Sequence, residues 1–318
     1  MKKWFLLALP QLLIAEAVVT YRSECGRFGD NLLMYLHTKW ISYKYDVPIQ
    51  CNYDECEFFS ELVLYKRESN YYKTSHPTTH LVLSRIHPEP KQHEQITYIV
   101  PYFPEVKWEL AAATAWDHLF DVDWQDPQFR KLALEMIAPT RKLSLALPPP
   151  GTISIAIHVR EGGRHDPESI RFVVPLKIPP LQYYVDSLER VVRLLPKQPL
   201  YCYVFTDAVY PKACEIVKML KQALPSDVAI EFHYHRDDNH DRINVLEDFF
   251  SLFHYDILIR STSNFSMVPN FLHDYAIVTS PEAFTIHETL EGRRVTIDEI
   301  DLQINQELYK KITDPQND

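Results

Sequence analysis

The sequence predicts an α/β protein with a parallel sheet in its C-terminal half. Between residues 153 and 278, apolar runs of strand length alternate with segments of helical periodicity, the pattern of consecutive β-α-β units. The run Ile153–His158 is mostly aliphatic, β-branched or small, as in a strand that is buried on both faces. The chain has 318 residues, enough for two domains at roughly 100–200 residues each.

The composition is that of a globular protein. Hydrophobic residues make up 46% of the chain and charged residues 24%, which is too apolar for a disordered chain. The formal net charge of −10 argues against a broad surface for nucleic acid or for an anionic membrane. A small anionic ligand is compatible with this charge, because a few local arginines can hold it.

The first 17 residues are typical of a secretory signal peptide. They comprise the basic pair Lys2–Lys3, the apolar core Trp4–Ile14 and the small-residue cleavage motif Ala15–Ala17. The apolar core is shorter than the ~20 residues that span a bilayer. We therefore expect an exported protein without a stable membrane span, either periplasmic or secreted, or in the lumen of the endoplasmic reticulum or Golgi. A buried N-terminal strand or helix is the alternative interpretation.

The chain has five cysteines, and their spacing fits no zinc site. Export would permit disulfide bonds, and Cys51 with Cys56 is a possible local pair. Cys202 falls in a predicted strand and Cys214 in a predicted helix, so we expect both in the core. The odd number leaves at least one free thiol.

Residues 18–150 are predicted to form a first α/β domain. Strand Val18–Tyr21 leads through a glycine turn into a helix over Leu32–Tyr45. Glycines let backbone amides approach a ligand, and a helix N-terminus carries partial positive charge. Asp30 or Asn31 could equally be the N-cap of this helix. The other predicted elements are strands at 79–86 and 96–100, a helix at 128–137 and a linker at 148–151.

Residues 151–318 are predicted to form the second domain. Polar residues follow three of its strands, at His158–Arg160, Thr206–Asp207 and Ser261–Ser266. The carboxyl ends of parallel strands meet at one sheet edge, where ligands bind. The predicted strands lie at 153–158, 200–206, 228–234, 256–260 and 275–278, and the predicted helices at 181–195, 210–224, 245–254 and 265–272.

The three polar strand ends together suit a diphosphate. Arg160 would supply a guanidinium, and the Ser/Asn turn would supply hydroxyls and amides at a helix start. Asp207 could accept hydrogen bonds from a ribose or a base, or it could cap the helix that begins near Tyr210. Arg160 could also be an ordinary loop residue paired with a carboxylate.

Four segments resemble the fucosyltransferase superfamily, which includes α-1,2- and α-1,6-fucosyltransferases and protein O-fucosyltransferases. They are GRFGDN at 26–31, IHVREG at 157–162, VFTDA at 204–208 and LEDFFSLFHYDILIRSTSNFS at 246–266. The last segment is the most specific, because it combines a helix, a strand and a Ser/Asn-Phe-Ser turn in fixed register. The segments occur in the order of the family.

The resemblance implies a GT-B-like fold, with two Rossmann-like domains facing a cleft and the first domain on the acceptor side. It also implies inverting transfer of fucose from GDP-fucose to a glycan or protein hydroxyl, with no metal or other cofactor. By position, Arg160 would hold the diphosphate and His158 would support that loop or the guanosine. The nucleotide would contact Asp207, Ser263, Asn264, Phe265 and Ser266, and the cleft would be lined from the first domain by Gly26, Arg27, Phe28, Gly29, Asp30 and Asn31.

The acceptor hydroxyl also needs a general base, for which Glu161, Asp166 and Asp30 are candidates. The chain departs from the family at Glu161, where many members have a second arginine. Asp30 and Asn31 replace an Asn-Gln pair, and Asn264 replaces a serine. A non-catalytic carbohydrate- or nucleotide-binding protein, or a transferase that uses another sugar nucleotide, is therefore the competing interpretation.

Overall fold

The computed structural model has one β-sheet in each half of the chain. Asp166 and all but the last residue of the predicted leader lie outside the described residues. No helix among the described residues is long and apolar enough to cross a membrane. The structure describes residues 17–21, 26–51, 53–68, 79–82, 90–91, 96–100, 122–162, 170–235, 243–289 and 292–314.

The first sheet has three parallel strands, β1 (Val18–Tyr21), β2 (Thr79–Val82) and β3 (Ile96–Val100), in the order β1-β3-β2. Strand β1 is followed by the long helix α1 (Phe28–Tyr45), most of whose residues are buried. The predicted strands at 18–21 and 96–100 and the α1 helix are confirmed. The strand predicted at 79–86 is confirmed for residues 79–82, and residues 83–86 lie outside the described residues. The α1 helix starts four residues before its predicted start, so the glycine turn is partly helical.

The described residues of the first half include two further α-helices, α2 (Val63–Glu68) and α3 (Pro127–Ile137). Helix α3 begins where the sequence favours it, because Pro127 occupies the first helical position. The carboxylate of Asp126 accepts hydrogen bonds from the backbone N–H groups of Gln128 and Phe129, at 2.8 and 3.0 Å. This is a regular N-cap.

The second sheet has six strands in the order β6-β5-β4-β7-β8-β9. All neighbours are parallel except β8 and β9, which form an antiparallel hairpin. The strands are β4 (Ile153–Val159), β5 (Leu200–Thr206), β6 (Ile230–Tyr234), β7 (Ile257–Arg260), β8 (Ile277–Thr289) and β9 (Gly292–Ile304), and the helices are α4 (Ile170–Val173), α5 (Leu181–Leu194), α6 (Tyr210–Ala223), α7 (Val245–Ser251), α8 (Asn264–Leu272) and α9 (Gln306–Thr313).

The alternation of strands and helices predicted for this half is confirmed as far as β8. The sequence analysis missed β9, α9 and the extension of β8 beyond Val278. Pro281 interrupts the strand pattern, and a register shift lies between Pro281 and Ala283 in the β8–β9 pairing. Beyond that bulge the side chains of both strands are largely exposed, so neither strand has a buried face that would indicate it in the sequence. We call residues 282–289 and 292–299 the ribbon.

The two halves share a hydrophobic core. Phe249 and Val268, from α7 and α8, belong to the same buried cluster as Phe28 and Leu32 of α1. The rings of Phe28 and Phe249 meet edge to face, with centroids 5.1 Å apart. The division of the chain at residue 150 therefore stays a prediction.

The cysteines differ from prediction in two respects. Cys51 and Cys56 are buried and are not joined to each other, so the predicted local disulfide pair is wrong. Burial raises the pKa of Cys51 to about 12, which keeps it protonated. Cys202 is buried as expected, but Cys214 is exposed, because the buried face of α6 carries Ala213, Ile216, Val217 and Leu220 instead.

Candidate functional site

The predicted polar strand ends meet at one edge of the second sheet. His158 near the end of β4 is in register with Phe205 of β5 and Arg260 of β7. A cavity of about 70 Å³ lies there, between the two halves of the chain. We call it the cleft cavity. It is lined by Arg27, Phe28, Gly29, Asp30, Glu57, Phe58, His158, Arg160, Lys177, Phe205, Thr206, Asp207, Ile243, Val245, Asp248, Ser263, Asn264 and Phe265.

Arg160 and Ser263, the two residues on which the predicted diphosphate site depends, both line the cleft cavity. Arg160 follows β4 directly, and its backbone N–H donates to the hydroxyl of the buried Tyr184 at 3.4 Å. Arg27 and Lys177 add positive charge, while acidic residues also line the cavity. The site is therefore mixed in charge, which suits a nucleotide with both phosphate and hydrogen-bond donor groups.

His158 is held rigidly at the base of the cavity. Its Nδ1 lies 2.9 Å from Ser266 Oγ, and that hydroxyl donates to the carbonyl of Ser263 at 3.2 Å. Its ring stacks on Phe265, with centroids 5.1 Å apart. Burial lowers the pKa of His158 to about 3, and nearby arginines act in the same direction, against Asp207. The imidazole is therefore neutral at physiological pH.

Asp207 joins the loop after β4 to the first half of the chain. Its Oδ1 accepts a hydrogen bond from the backbone N–H of Glu161 at 2.7 Å, and its Oδ2 lies 3.4 Å from Arg27 Nη1. The N-cap of α6 is Val209, so the capping role considered for Asp207 is wrong. Its carboxylate lines the cavity instead.

The N-termini of α1 and α8 meet at the wall of the cavity. Arg27 is the N-cap of α1 and Ser263 that of α8. A Cβ atom on Gly29 would lie 2.5 Å from the backbone nitrogen of Phe265, so only glycine permits this approach. Gly29, Asn264 and Phe265 line the cavity, so the first turns of both helices, where partial positive charge is expected, lie at its wall.

Asp30 is the third residue of α1, so neither it nor Asn31 is the predicted N-cap. Its carboxylate accepts hydrogen bonds from the backbone N–H of Arg27 at 3.1 Å and from Asn264 Nδ2 at 2.6 Å. Lys177 Nζ lies 3.7 Å away. Asp30 therefore ties the first half of the chain to the second at the cavity wall.

Four predicted site residues do not line the cavity. Glu161 forms an ion pair with Arg171, which also donates to the Glu161 carbonyl at 3.3 Å. Ser266 is buried beneath His158, and Asn31 is buried in α1. Gly26 precedes the helix with a φ of 108°, a conformation that favours glycine.

Asp248 is a cavity residue that the sequence analysis did not single out, although it lies in the segment 246–266. Its Oδ1 lies 2.7 Å from His235 Nε2. Burial raises the pKa of Asp248, whereas the hydrogen bond from His235 lowers it. The same hydrogen bond raises the pKa of His235. Lys177 was also missed, because it lies in an irregular segment with no motif.

Among the described residues, no group of three or more His, Cys, Asp and Glu side chains is placed to hold a metal ion. The cavity is smaller than the ~300–1,000 Å³ of typical small-molecule sites. A ligand of nucleotide size would therefore extend into the open cleft or displace side chains such as Arg27.

No protein-family model matches the chain, and no curated protein matches its sequence. Several solved structures do match. A mutant of Arabidopsis thaliana FUT1 in complex with GDP has a TM-score of 0.50 and 13% identity, over 83% of this chain and 70% of that chain. Fucosyltransferase NodZ from Bradyrhizobium has a TM-score of 0.46 and 11% identity, over 91% of this chain and 99% of that chain. POFUT1 in complex with GDP-fucose has a TM-score of 0.41 and 11% identity, over 83% of this chain and 95% of that chain.

At this identity, the similarity to the Arabidopsis protein shows a shared fold. A sheet in each half, with a cleft between the halves, is the arrangement that the sequence predicted. The chain therefore has the GT-B-like α/β fold found in a fucosyltransferase structure.

Proposed function

We propose that the chain is a glycosyltransferase that transfers fucose from GDP-fucose to a hydroxyl group, with inversion and without a metal ion. The observation that carries the proposal is the position of Arg160 beside two helix N-termini in a cleft cavity at the carboxyl edge of a parallel sheet. The fold shared with a protein solved with GDP supports the same ligand class.

The proposed reaction breaks the bond between the anomeric carbon and the β-phosphate oxygen. The acceptor oxygen attacks that carbon from the opposite face, the bonding electrons leave with GDP, and the acceptor proton passes to a carboxylate. Negative charge grows on the departing phosphate. The Arg160 guanidinium and the helix amides would stabilise this charge more in the transition state than in the ground state.

Asp30 is the proposed general base. Among the carboxylates considered from the sequence, it lines the cavity, whereas Glu161 is paired with Arg171. Asp166 lies outside the described residues. His158 is neutral and buried, so we assign it a positioning role for Phe265 and the α8 N-terminus, not proton transfer.

Asp248 is the proposed partner of the guanine base. Its Oδ1 faces His235, while the carboxylate as a whole lines the cavity next to Phe205. A carboxylate can accept hydrogen bonds from the N1–H and exocyclic amine of guanine, which uracil and adenine do not present in the same arrangement. GDP should therefore bind more tightly than UDP or ADP.

Thermal unfolding in the presence of nucleotides tests the donor class. We expect GDP and GDP-fucose to raise the melting temperature, and UDP to raise it much less. A ligand concentration of a hundred times the dissociation constant would stabilise the folded protein by about 2.7 kcal/mol. GDP-mannose and GDP-glucose test the sugar. Equal shifts for UDP and GDP, or no shift at millimolar GDP, would remove the donor assignment.

A non-catalytic binding protein is the second candidate, favoured by Glu161, which neutralises Arg171 where many relatives of the proposed family have a second arginine. Release of GDP from GDP-fucose separates the two functions. Thermal shift by GDP-fucose without any hydrolysis or transfer to added glycans and peptides would support binding alone.

A further inference from the structure

A second cavity, of about 400 Å³, lies beside the ribbon. We call it the ribbon cavity. Its walls come from the segment 171–180, the first turns of α5 and residues 293–297 of β9. Phe172, Ile178, Pro180, Val295 and Ile297 make much of the lining apolar.

The ribbon cavity borders the free edge of β9. Successive residues of a strand point to opposite faces, yet all five residues from 293 to 297 line the cavity, and no residue of β8 does. A cavity over one face of the hairpin would also touch β8. Strand β9 is the last strand of its sheet, and among the described residues the backbone groups of 293–297 pair only with β8. Its outer N–H and C=O groups are available to another strand.

The ribbon cavity is basic in a chain whose net charge is −10. Among the described residues, Arg171, Arg293 and Arg294 line it together with one carboxylate, Asp186, which accepts a hydrogen bond from Gln182 at 2.8 Å. Arg171 is also paired with Glu161, so Arg293 and Arg294 supply most of the available positive charge. Arg293 pairs with Glu288 at 2.8 Å, but their side chains are 59% and 69% exposed. Such a surface pair is weak and can be exchanged for another carboxylate.

We propose that an extended acidic polypeptide segment binds in the ribbon cavity as an added strand on β9. Backbone hydrogen bonds to residues 293–297 would supply affinity, and the arginines would select Asp and Glu side chains. A free edge favours a polypeptide over an acidic glycan, because a glycan has no repeating N–H and C=O groups to pair with it.

The ribbon cavity adjoins the cleft cavity. Arg171 lines the ribbon cavity and pairs with Glu161, the neighbour of Arg160. Lys177 lines the cleft cavity, while the next residue, Ile178, lines the ribbon cavity. On the proposed function, the bound segment therefore belongs to a protein acceptor whose hydroxyl reaches the cleft.

Fluorescence anisotropy with labelled probes tests the proposal on the full chain. The probe is a decapeptide of alternating Glu and Val; the comparisons are its Lys–Val counterpart, the Glu–Val peptide N-methylated at alternate residues, and an oligogalacturonate. We expect the Glu–Val peptide to bind, and each of the other three to bind about tenfold more weakly or not at all. Equal binding of the N-methylated peptide, or tighter binding of the oligogalacturonate, overturns strand addition.

The double variant Arg293→Glu/Arg294→Glu should weaken binding of the Glu–Val peptide by about tenfold, since it reverses two exposed charges. Arg190→Glu, exposed on α5 and outside both cavities, is the matched control. If the double variant keeps its peptide affinity but associates into dimers, the arginines only prevent pairing of edges and the proposal falls. GDP-induced thermal shift should be unchanged in both variants. A protein that shifts with GDP and ignores the peptide refutes this inference alone; one that ignores GDP refutes the proposed function.

Discussion

The cleft cavity has two walls, which differ in how they are supported. We call the wall from the first half of the chain the first wall and the wall from the second half the second wall. His158, Arg160 and Asp207 lie at or just beyond the ends of β4 and β5, in which every residue is buried. The opposite wall is the first turn of α1. It is joined to the second half by the contacts of Arg27 with Asp207 and of Asp30 with Asn264, and by the close approach at Gly29. On the proposed function, we expect the second half to hold the phosphate-binding groups in place and the first half to adjust to the ligand.

Replacement of Arg160 by alanine should give the largest effect on activity. Loss of one donor that stabilises transition-state charge costs about 10²–10³ in kcat. Because Arg160 lies in the loop after β4 and outside the core, its removal should leave the melting temperature nearly unchanged. Steady-state release of GDP measures the first quantity and thermal unfolding the second.

Arg190→Ala is the control for Arg160→Ala, because Arg190 is exposed and lines neither cavity. It should leave both activity and stability unchanged. If Arg160→Ala retains more than a tenth of the activity, the second wall does not supply the main stabilisation of the leaving group, and the contrast between the walls fails.

Replacement of Gly29 by alanine tests the junction between the walls. The new Cβ atom would lie 2.5 Å from Phe265 N and 2.8 Å from Phe265 Cα, and both are backbone atoms of α8 that cannot move alone. We expect a loss of about 1–3 kcal/mol in the free energy of unfolding, as in other overpacked sites, and weaker GDP binding. Urea unfolding and GDP titration measure the two effects.

Gly151→Ala is the matched control, since Gly151 has a φ of 79° and open space around its Cβ position. That variant should lose stability through backbone strain, with GDP binding unchanged. If Gly29→Ala behaves in the same way, with unaltered GDP affinity, the two helix N-termini do not act together on the ligand.

The strand ends of the second wall were predictable from local sequence patterns. The residues of the first wall were expected in the cleft only from the resemblance, and their helical conformation was not predicted. Buried parallel strands have a strong signature, so β4 and β5 and the residues that follow them could be placed at one edge. The start of α1 could not, because glycine is a poor helix former and Gly26 and Gly29 indicate a turn. Packing against α8 makes residues 28–31 helical, and no local pattern reports such packing.

The missed cavity residues have a related cause. Lys177 and Asp248 reach the cleft only through the three-dimensional path of the chain, from an irregular segment and from a helix face. The ribbon was not predicted, although Phe284 and Ile286 on β8 and Val295 and Ile297 on β9 alternate with polar residues. These side chains are half-buried or exposed, and Pro281 interrupts the strand pattern.

The smallest expected effect is a pH dependence that originates in the second wall. His158 has a folded-state pKa of about 3, well below the ~6.5 of an unfolded chain. Below pH ~6.5 the unfolded state therefore binds a proton that the folded state does not, and stability falls as the pH falls. One pH unit below 6.5, this difference amounts to about 1.4 kcal/mol. His37 of α1 has a pKa lowered by burial to about 3, and should act in the same direction.

Urea unfolding at pH 7.5 and 5.5 measures this contribution in the His158→Asn variant, whose amide can still donate to Ser266. From pH 7.5 to pH 5.5, the free energy of unfolding of the variant should fall by about 1.4 kcal/mol less than that of the parent protein. His37→Asn, distant from the cavity residues, should flatten the profile by a similar amount and leave GDP affinity unchanged. His158→Asn should also weaken GDP binding, because Phe265 loses the ring on which it stacks. An unaltered pH profile in both variants would contradict the lowered pKa values, because these histidines would then take up protons as readily in the folded protein as in the unfolded chain.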